Sequence, residues 1–224
     1  MLKLTTQTLD VLKNFATINS NIIIKAGSNL ATIAEAKNVM ATATVTEVFP
    51  SSFGVYDLNE FLSALSLVDD PTLNFTDDSV LISDQSSTIK YRFANQAILT
   101  SPVKAISMPS VALTINISAG MLQKIRKGAG ALGHTVLAIE GENGKISAVI
   151  RDSKDSSAHT YTVVLDEHNS LKTAFSFQFL IANLKLLSGD YVVSISSKLI
   201  SQWKHVTADI TYYIALEKTS TIKS

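Results

Sequence analysis

DLNEFLSALSLV, residues Asp57 to Val68, is the stretch around which the chain is organised. Leu58, Phe61, Leu62, Leu65 and the Leu67–Val68 pair recur at intervals of three and four, which predicts one apolar face of an amphipathic helix. Asp57 is placed to cap its start, with Glu60 three residues on, an Asp-led variant of the capping box. Pro71 forbids continuation. TLNF, VLISD and STIKYRFA follow, so the helix is expected to feed a meander of short strands.

The same unit is read a second time. Phe177, Leu180, Ile181, Leu184 and Leu187 in FQFLIANLKLL repeat the spacing, and Gly189, YVVSIS and HVTADITYYIA follow. Tyr91, Phe93 and Ala94 answer to Tyr212, Ile214 and Ala215. Upstream, Leu9, Leu12 and Ala16 match Leu122, Ile125 and Ala129. The order helix, strands, helix, strands therefore predicts an internal duplication, with domains at 1–110 and 111–224.

A chain of 224 residues accommodates two domains, and 46% hydrophobic against 17% charged content supplies two cores. The absence of cysteine excludes disulfides and thiolate metal sites. No apolar run reaches the roughly 18 residues of a membrane span, and MLKLTTQTLD lacks an apolar signal core; a soluble, intracellular protein without membrane contact is expected. The net charge is zero but uneven. Residues 1–110 carry 7 basic and 10 acidic residues (net −3), and residues 111–224 carry 12 and 9 (net +3). Such asymmetry favours head-to-tail pairing of copies.

A first helix is expected from Thr5 to Ala16, a strand at Asn21–Lys25, a turn at Lys37–Asn38, a strand at Thr42–Val48 and a loop at Pro50–Gly54. NQAILTSPVKAISMPS, residues 95–110, has two prolines and no period, and reads as the connector between the halves. After the strand VALTINIS, Ser118 caps a helix over Ala119–Ala129, with Gly128 and Gly130 as stops. Asn143–Gly144 marks a hairpin, and KTSTIKS a frayed tail.

No GxSxG, Walker loop or GxGxxG is present, and GAGALG at 128–133 reads as a helix end rather than a phosphate loop. His134, His159, His168 and His205 lack metal-ligand spacing, and Asp69–Asp70 and Asp77–Asp78 read as solvated loop charges. No cofactor, metal or catalytic residue is expected.

LKNFATINS at 12–20 and VYDLNEFLSALSLVDDP at 55–71, supported by YYIALE near the C-terminus, resemble the DNA polymerase sliding clamps of T-even-type bacteriophages. The resemblance implies an α+β DNA-clamp fold: two similar domains, each with two inner helices and outer antiparallel sheets, in a closed ring of three identical subunits. It implies duplex DNA bound without sequence preference, a viral DNA polymerase, an ATP-dependent clamp loader, a role in late transcription, and the cytoplasm of the infected bacterium. A departure is that DLNEFLSALSLV carries no Lys or Arg, so a cationic lining must come from the other helices. Lys13, Lys124, Arg126, Lys127 and Lys185 are the helical cations expected to face DNA through diffuse, screened contacts. The resemblance also implies a groove for partner peptides beneath the connector, here assigned to Val103, Ile106, Met108, Pro109, Tyr213 and Ala215. Two other readings compete: a structural β-rich binding module with no DNA role, and an enzyme with a dispersed active site. Four matched amphipathic helices speak against the first, and the lack of a candidate constellation against the second.

Overall fold

The computed structural model describes residues 1–155, 157–167 and 173–222. The chain divides into two compact units, Met1–Ala105 and Ile106–Ser224; the connector stretch 95–110 straddles that point. Its first residues are tied to unit 1: a 3-10 turn spans Gln96–Ile98, and the Thr100 N–H donates to Asn21 Oδ1 at 2.9 Å.

In unit 1, α1 (Thr6–Ile18) starts where the Thr5 hydroxyl accepts the Thr8 N–H, and it buries Val11, Leu12, Phe15 and Ile18 along one face. β1 (Ile22–Ile24), β2 (Gly27–Ile33) and β3 (Val39–Phe49) follow. β2 and β3 form an antiparallel hairpin whose turn places Lys37 at a φ of 57°, the turn expected from the sequence. β4 (Phe53–Val55) pairs antiparallel with β1. It replaces the expected 50–54 loop in part; three residues are too few to carry a strand signal, yet Phe53 and Val55 are buried. α2 (Leu58–Ser66) is capped by Asp57, which accepts the N–H groups of Asn59 and Glu60 at 2.9 and 3.2 Å. It buries Leu58, Phe61 and Leu65, and beyond its end Val68 is buried while Leu67 is exposed. β5 (Thr72–Phe75), β6 (Ser79–Ser83) and β7 (Thr88–Arg92) form the expected meander.

β3 alternates strictly towards its end, with Ala43, Val45, Glu47 and Phe49 turned inward. One of these inward residues is a carboxylate, only 6% exposed. It survives there because α1 begins beside it: Glu47 accepts the Thr5 N–H and the Thr8 hydroxyl, and also the Thr46 hydroxyl at 3.1 Å. Charge-assisted bonds from a helix N-terminus suit an anion. Burial pushes the carboxyl upward, but the bonds from Thr8 and Thr5 outweigh it and hold Glu47 below its ordinary value.

In unit 2, β8 (Leu113–Ile117) leads into α3 (Ala119–Leu132), capped by Ser118 through the Met121 N–H at 3.2 Å. The helix buries Leu122, Ile125 and Ala129. Gly128 and Gly130 do not stop it. The helix runs through both to Leu132 and ends where Gly133 adopts φ 68°, a left-handed cap that a side chain resists. β9 (Val136–Glu142), β10 (Lys145–Arg151) and β11 (Tyr161–Asp166) follow, with Asn143 and Gly144 both at positive φ in the β9–β10 hairpin. β12 (Phe175–Leu180), β13 (Tyr191–Ser196), β14 (Ile200–His205), β15 (Ile210–Ala215) and β16 (Thr221–Ile222) complete the unit. The strands pair antiparallel in the orders β11-β10-β9-β12-β16 and β15-β14-β13-β8. The tail expected to fray supplies β16, paired with Phe175 and Ser176 of β12.

The second central helix expected from FQFLIANLKLL does not form. Its first part is β12, and a 3-10 turn spans Ile181–Asn183. The period of two wins: Phe175, Phe177 and Phe179 are buried while Ser176, Gln178 and Leu180 are half-buried. Phenylalanines at alternate positions favour a pleated strand over a helix, in which Phe177 would point away from Phe175 and Phe179. β12 pairs with β9 over six residues, placing Phe175 opposite Gly141. The Phe175 ring occupies the space a Cβ on Gly141 would need, 2.2 Å from it. The duplication thus holds for α1 and α3 but not for α2. Among the described residues the fold has three α-helices rather than four.

Glu47→Gln is expected to lower unfolding stability by about 1–3 kcal/mol at neutral pH, because a buried anion and its donors lose their match. A carboxyl held low in the folded state stabilises above its unfolded value, and that contribution disappears as pH falls through the folded value. Denaturant melts of parent and variant should therefore differ fully above the ordinary value of 4.5 and converge below it.

Candidate nucleic-acid interface

Three helices carry the candidate cations unequally. α2 has Glu60 in its first turn and no Lys or Arg. On α1, Lys13 is well exposed but lies 3.5 Å from Asp10 at i,i+3, a surface pair of small energetic worth. α3 is different. Its sequence AGMLQKIRKGAGAL holds Lys124, Arg126 and Lys127 and no carboxylate. The buried stripe of Leu122, Ile125 and Ala129 turns Lys124 and Lys127 to the exposed side. The first turn of α3 is closed by Asp190, whose Oδ1 accepts the Ala119 N–H at 2.7 Å. A cleft of about 340 Å³ lies between this turn and Leu187–Gly189, with Gln123 and Arg126 on its wall.

The remaining two cations are placed otherwise than the sequence suggests. Arg126 is on α3, but its Nη2 donates to the carbonyls of Leu184 and Leu186 at 3.1 and 3.3 Å. It is an anchored group rather than a mobile one. Lys185 lies not on a helix but in the irregular stretch after the 181–183 turn, and it is half-buried. The structure thus brings Arg126 and the backbone around Lys185 together, which helical spacing does not foresee.

Of the residues assigned to a peptide groove, Val103 belongs to unit 1 and is 92% exposed. Ile106, Met108 and Pro109 are half-buried in a stretch without regular structure. Tyr213 and Ala215 share the half-buried face of β15, and the Tyr213 hydroxyl accepts from Gln202 Nε2 at 3.1 Å.

His134 and His205 use their rings to hold backbone groups. His134 Nε2 lies 2.7 Å from the His159 carbonyl. His205 Nδ1 accepts the N–H groups of Thr207 and Ala208 at 3.1 and 3.0 Å, which assigns the proton to Nε2, 3.1 Å from the Ser188 carbonyl. His168 lies outside the described residues. Among the described residues no three His, Asp or Glu side chains gather as a metal site.

Sequence reasoning missed the side chains that hold Leu184–Ser188: Tyr191, Tyr212 and His205. The signal present was Gly189-Asp190 directly after an apolar run, a break that a helix reading treats only as a stop.

Residues 4–108 match the family model described as DNA polymerase processivity factor, and residues 114–218 that of the gp45 sliding clamp, C terminal. The sliding clamp of Enterobacteria phage T4 is 33% identical over 98% of this chain and 99% of its own length. The sliding clamp of Vibrio phage KVP40 is 32% identical over 96% and 99%. Among solved structures, PCNA from Thermococcus kodakaraensis superposes with a TM-score of 0.70 at 13% identity, covering 94% of this chain and 96% of its own. A. fulgidus PCNA, solved with the C-terminal region of FEN-1 bound, gives 0.70 at 12% identity over 95% and 96%. The structural likeness establishes the DNA-clamp fold. The two family models and the full-length phage relatives establish the rest: the chain belongs to the sliding-clamp family of DNA polymerase processivity factors.

Proposed function

We propose that the chain acts without catalysis, as a ring of three copies that encircles duplex DNA and tethers a viral DNA polymerase. In this reading an ATP-dependent loader places the ring on DNA, the ring also serves viral late transcription, and its setting is the cytoplasm of the infected bacterium. The clamp domains are 1–110, including the 95–110 connector, and 111–224. The observation that carries the DNA reading is the exposed, carboxylate-free cationic side of α3. A clamp that slides must touch phosphates without reading bases, and lysines on a helix surface supply such contacts. Lys13, Lys124, Lys127 and Lys185, with Arg126, form the DNA-facing set.

Assembly is supported by the open edges in each unit. Among the described residues, β7 pairs only with β6 in unit 1, and β11 only with β10 in unit 2. β7 carries Lys90 and Arg92; Asp166 ends β11 and Glu167 follows it. Joining unlike edges head to tail extends the sheets and hides exposed ladder groups.

The partner groove is assigned to Val103, Ile106, Met108, Pro109, Tyr213 and Ala215. Met108 adapts its shape to different rings, and the small Ala215 leaves room beside Tyr213. Burying about 300–400 Å² of apolar area gives a gross gain of roughly 8–10 kcal/mol. Peptide ordering consumes much of that, so exchangeable micromolar binding follows.

Light scattering at micromolar concentration is expected to give three times the 24.1 kDa chain mass; a monomer or dimer contradicts the trimer. Changing Lys124 and Lys127 to Ala together is expected to reduce polymerase processivity and to flatten its salt dependence, with folding intact. Unchanged processivity across a salt series places both residues away from DNA. Titration with the cognate polymerase's C-terminal peptide is expected to show weakened binding by Ile106→Asp and Ala215→Trp. Parental affinity in both relocates the groove.

A further inference from the structure

Leu184–Ser188 runs without regular secondary structure in the place where a helix is expected from the sequence. Backbone groups that leave a helix must find other partners. Side chains from four elements take them here. Arg126 of α3 donates from Nη2 to the carbonyls of Leu184 and Leu186. Tyr191 of β13 donates to the Leu187 carbonyl at 2.6 Å, and Tyr212 of β15 accepts the Leu187 N–H at 3.0 Å. His205 of β14 reaches the Ser188 carbonyl. Burial pushes the Tyr212 hydroxyl up to about 12 and that of Tyr191 upward as well, so both remain neutral over the working range of pH. At the end of the segment, a Cβ on Gly189 would stand 2.0 Å from His205 Nε2. The backbone is fitted closely to its staples.

The two carbonyls that Arg126 grips belong to the residues on either side of Lys185. We propose that Arg126 is a positioning residue whose guanidinium brackets Lys185 and presents it as a fixed phosphate contact next to α3. This rests on the reading of the chain as a DNA-encircling clamp. Pulling Arg126 away to meet a phosphate would leave two carbonyls without their donor, a cost that Lys124 and Lys127 on the open helix surface do not incur. Both bonds leave one nitrogen, whose two N–H groups are fixed in the guanidinium plane, so both acceptors are met with little entropy to lose. Arg126 thus serves the DNA surface through Lys185, and its charge is secondary.

The test is binding of the full-length chain to a short labelled blunt-ended duplex over a salt series, read as the slope of log affinity against log salt. Lys185→Ala is expected to reduce the slope by about 0.9 for each phosphate it no longer neutralises. Arg126→Lys keeps the charge but lacks the planar N–H pair held at guanidinium reach, and is expected to reduce the slope as much; the double variant is expected to match Lys185→Ala alone. A parental slope in Arg126→Lys, additive reductions in the double variant, or a parental slope in Lys185→Ala overturns the proposal. If one of those results is found while Lys124→Ala with Lys127→Ala lowers the slope in that same series, the bracket fails while the clamp reading stands. A parent without salt-dependent duplex binding overturns both. Should Arg126→Lys not melt as the parent does, Tyr212→Phe replaces it. That change removes a staple of the same segment without touching a charge, and a parental slope in it also overturns the proposal.

Discussion

A buried backbone amide that leaves regular structure costs about 1–3 kcal/mol unless another group meets it, and this constraint shapes unit 2. Where unit 1 spends nine residues on α2, unit 2 has β12, a single 3-10 turn and an irregular run. The missing helix bonds are replaced from outside the segment, so residues far apart in sequence become interdependent. Arg126, Tyr191, His205 and Tyr212 all converge on five residues of backbone. The aromatic core continues the same logic. Trp203, fully buried, gives its indole N–H to the Ser201 hydroxyl at 3.0 Å, and that hydroxyl donates to the Ile214 carbonyl at 2.9 Å. These two buried polar groups thus enter the core with their hydrogen bonds made.

The paired tyrosines show how far the two units still correspond. Tyr91 donates to the carbonyl of Asp57, the residue that caps α2, and its ring meets Phe61 edge-on at 5.1 Å. Tyr212 binds the backbone of Leu187 instead. Each tyrosine secures the segment upstream of its own sheet, whether or not that segment is helical. The constraint kept is the anchoring bond, not the secondary structure it holds.

Much of the fold was legible because local signals agreed. Thr5, Asp57 and Ser118 start their helices as capping chemistry requires, TLNF is a strand over its full length, and Asn143–Gly144 turns a hairpin. The failures have identifiable causes. FQFLIANLKLL satisfied a helical template through its leucines while its phenylalanines obeyed a period of two, and burial against β9 decided between them. Gly128 and Gly130 looked like stops because the packing that carries α3 past them is tertiary. In the candidate site, Lys124 and Lys127 could be placed from spacing alone. The tie between Arg126 and Leu184–Leu186 joins residues about sixty positions apart, and no period in the sequence encodes it.

The glycines of α3 bear on where the helix draws its stability. Each glycine inside a helix costs about 1 kcal/mol relative to alanine, and α3 carries two near its end, with Gly120 in its first turn. At Gly128 the loss is the condition of close packing, since the Tyr161 ring of β11 stands 2.3 Å from where a Cβ would be. At Gly130 nothing lies within 4 Å, so the same residue type there contributes only looseness. A helix of this length and composition has little tendency to form by itself in water. Its last turns therefore acquire their shape from a strand more than thirty residues downstream. The stability of the end of α3 is thus borrowed from the β10–β11 pair that holds Tyr161 against Gly128.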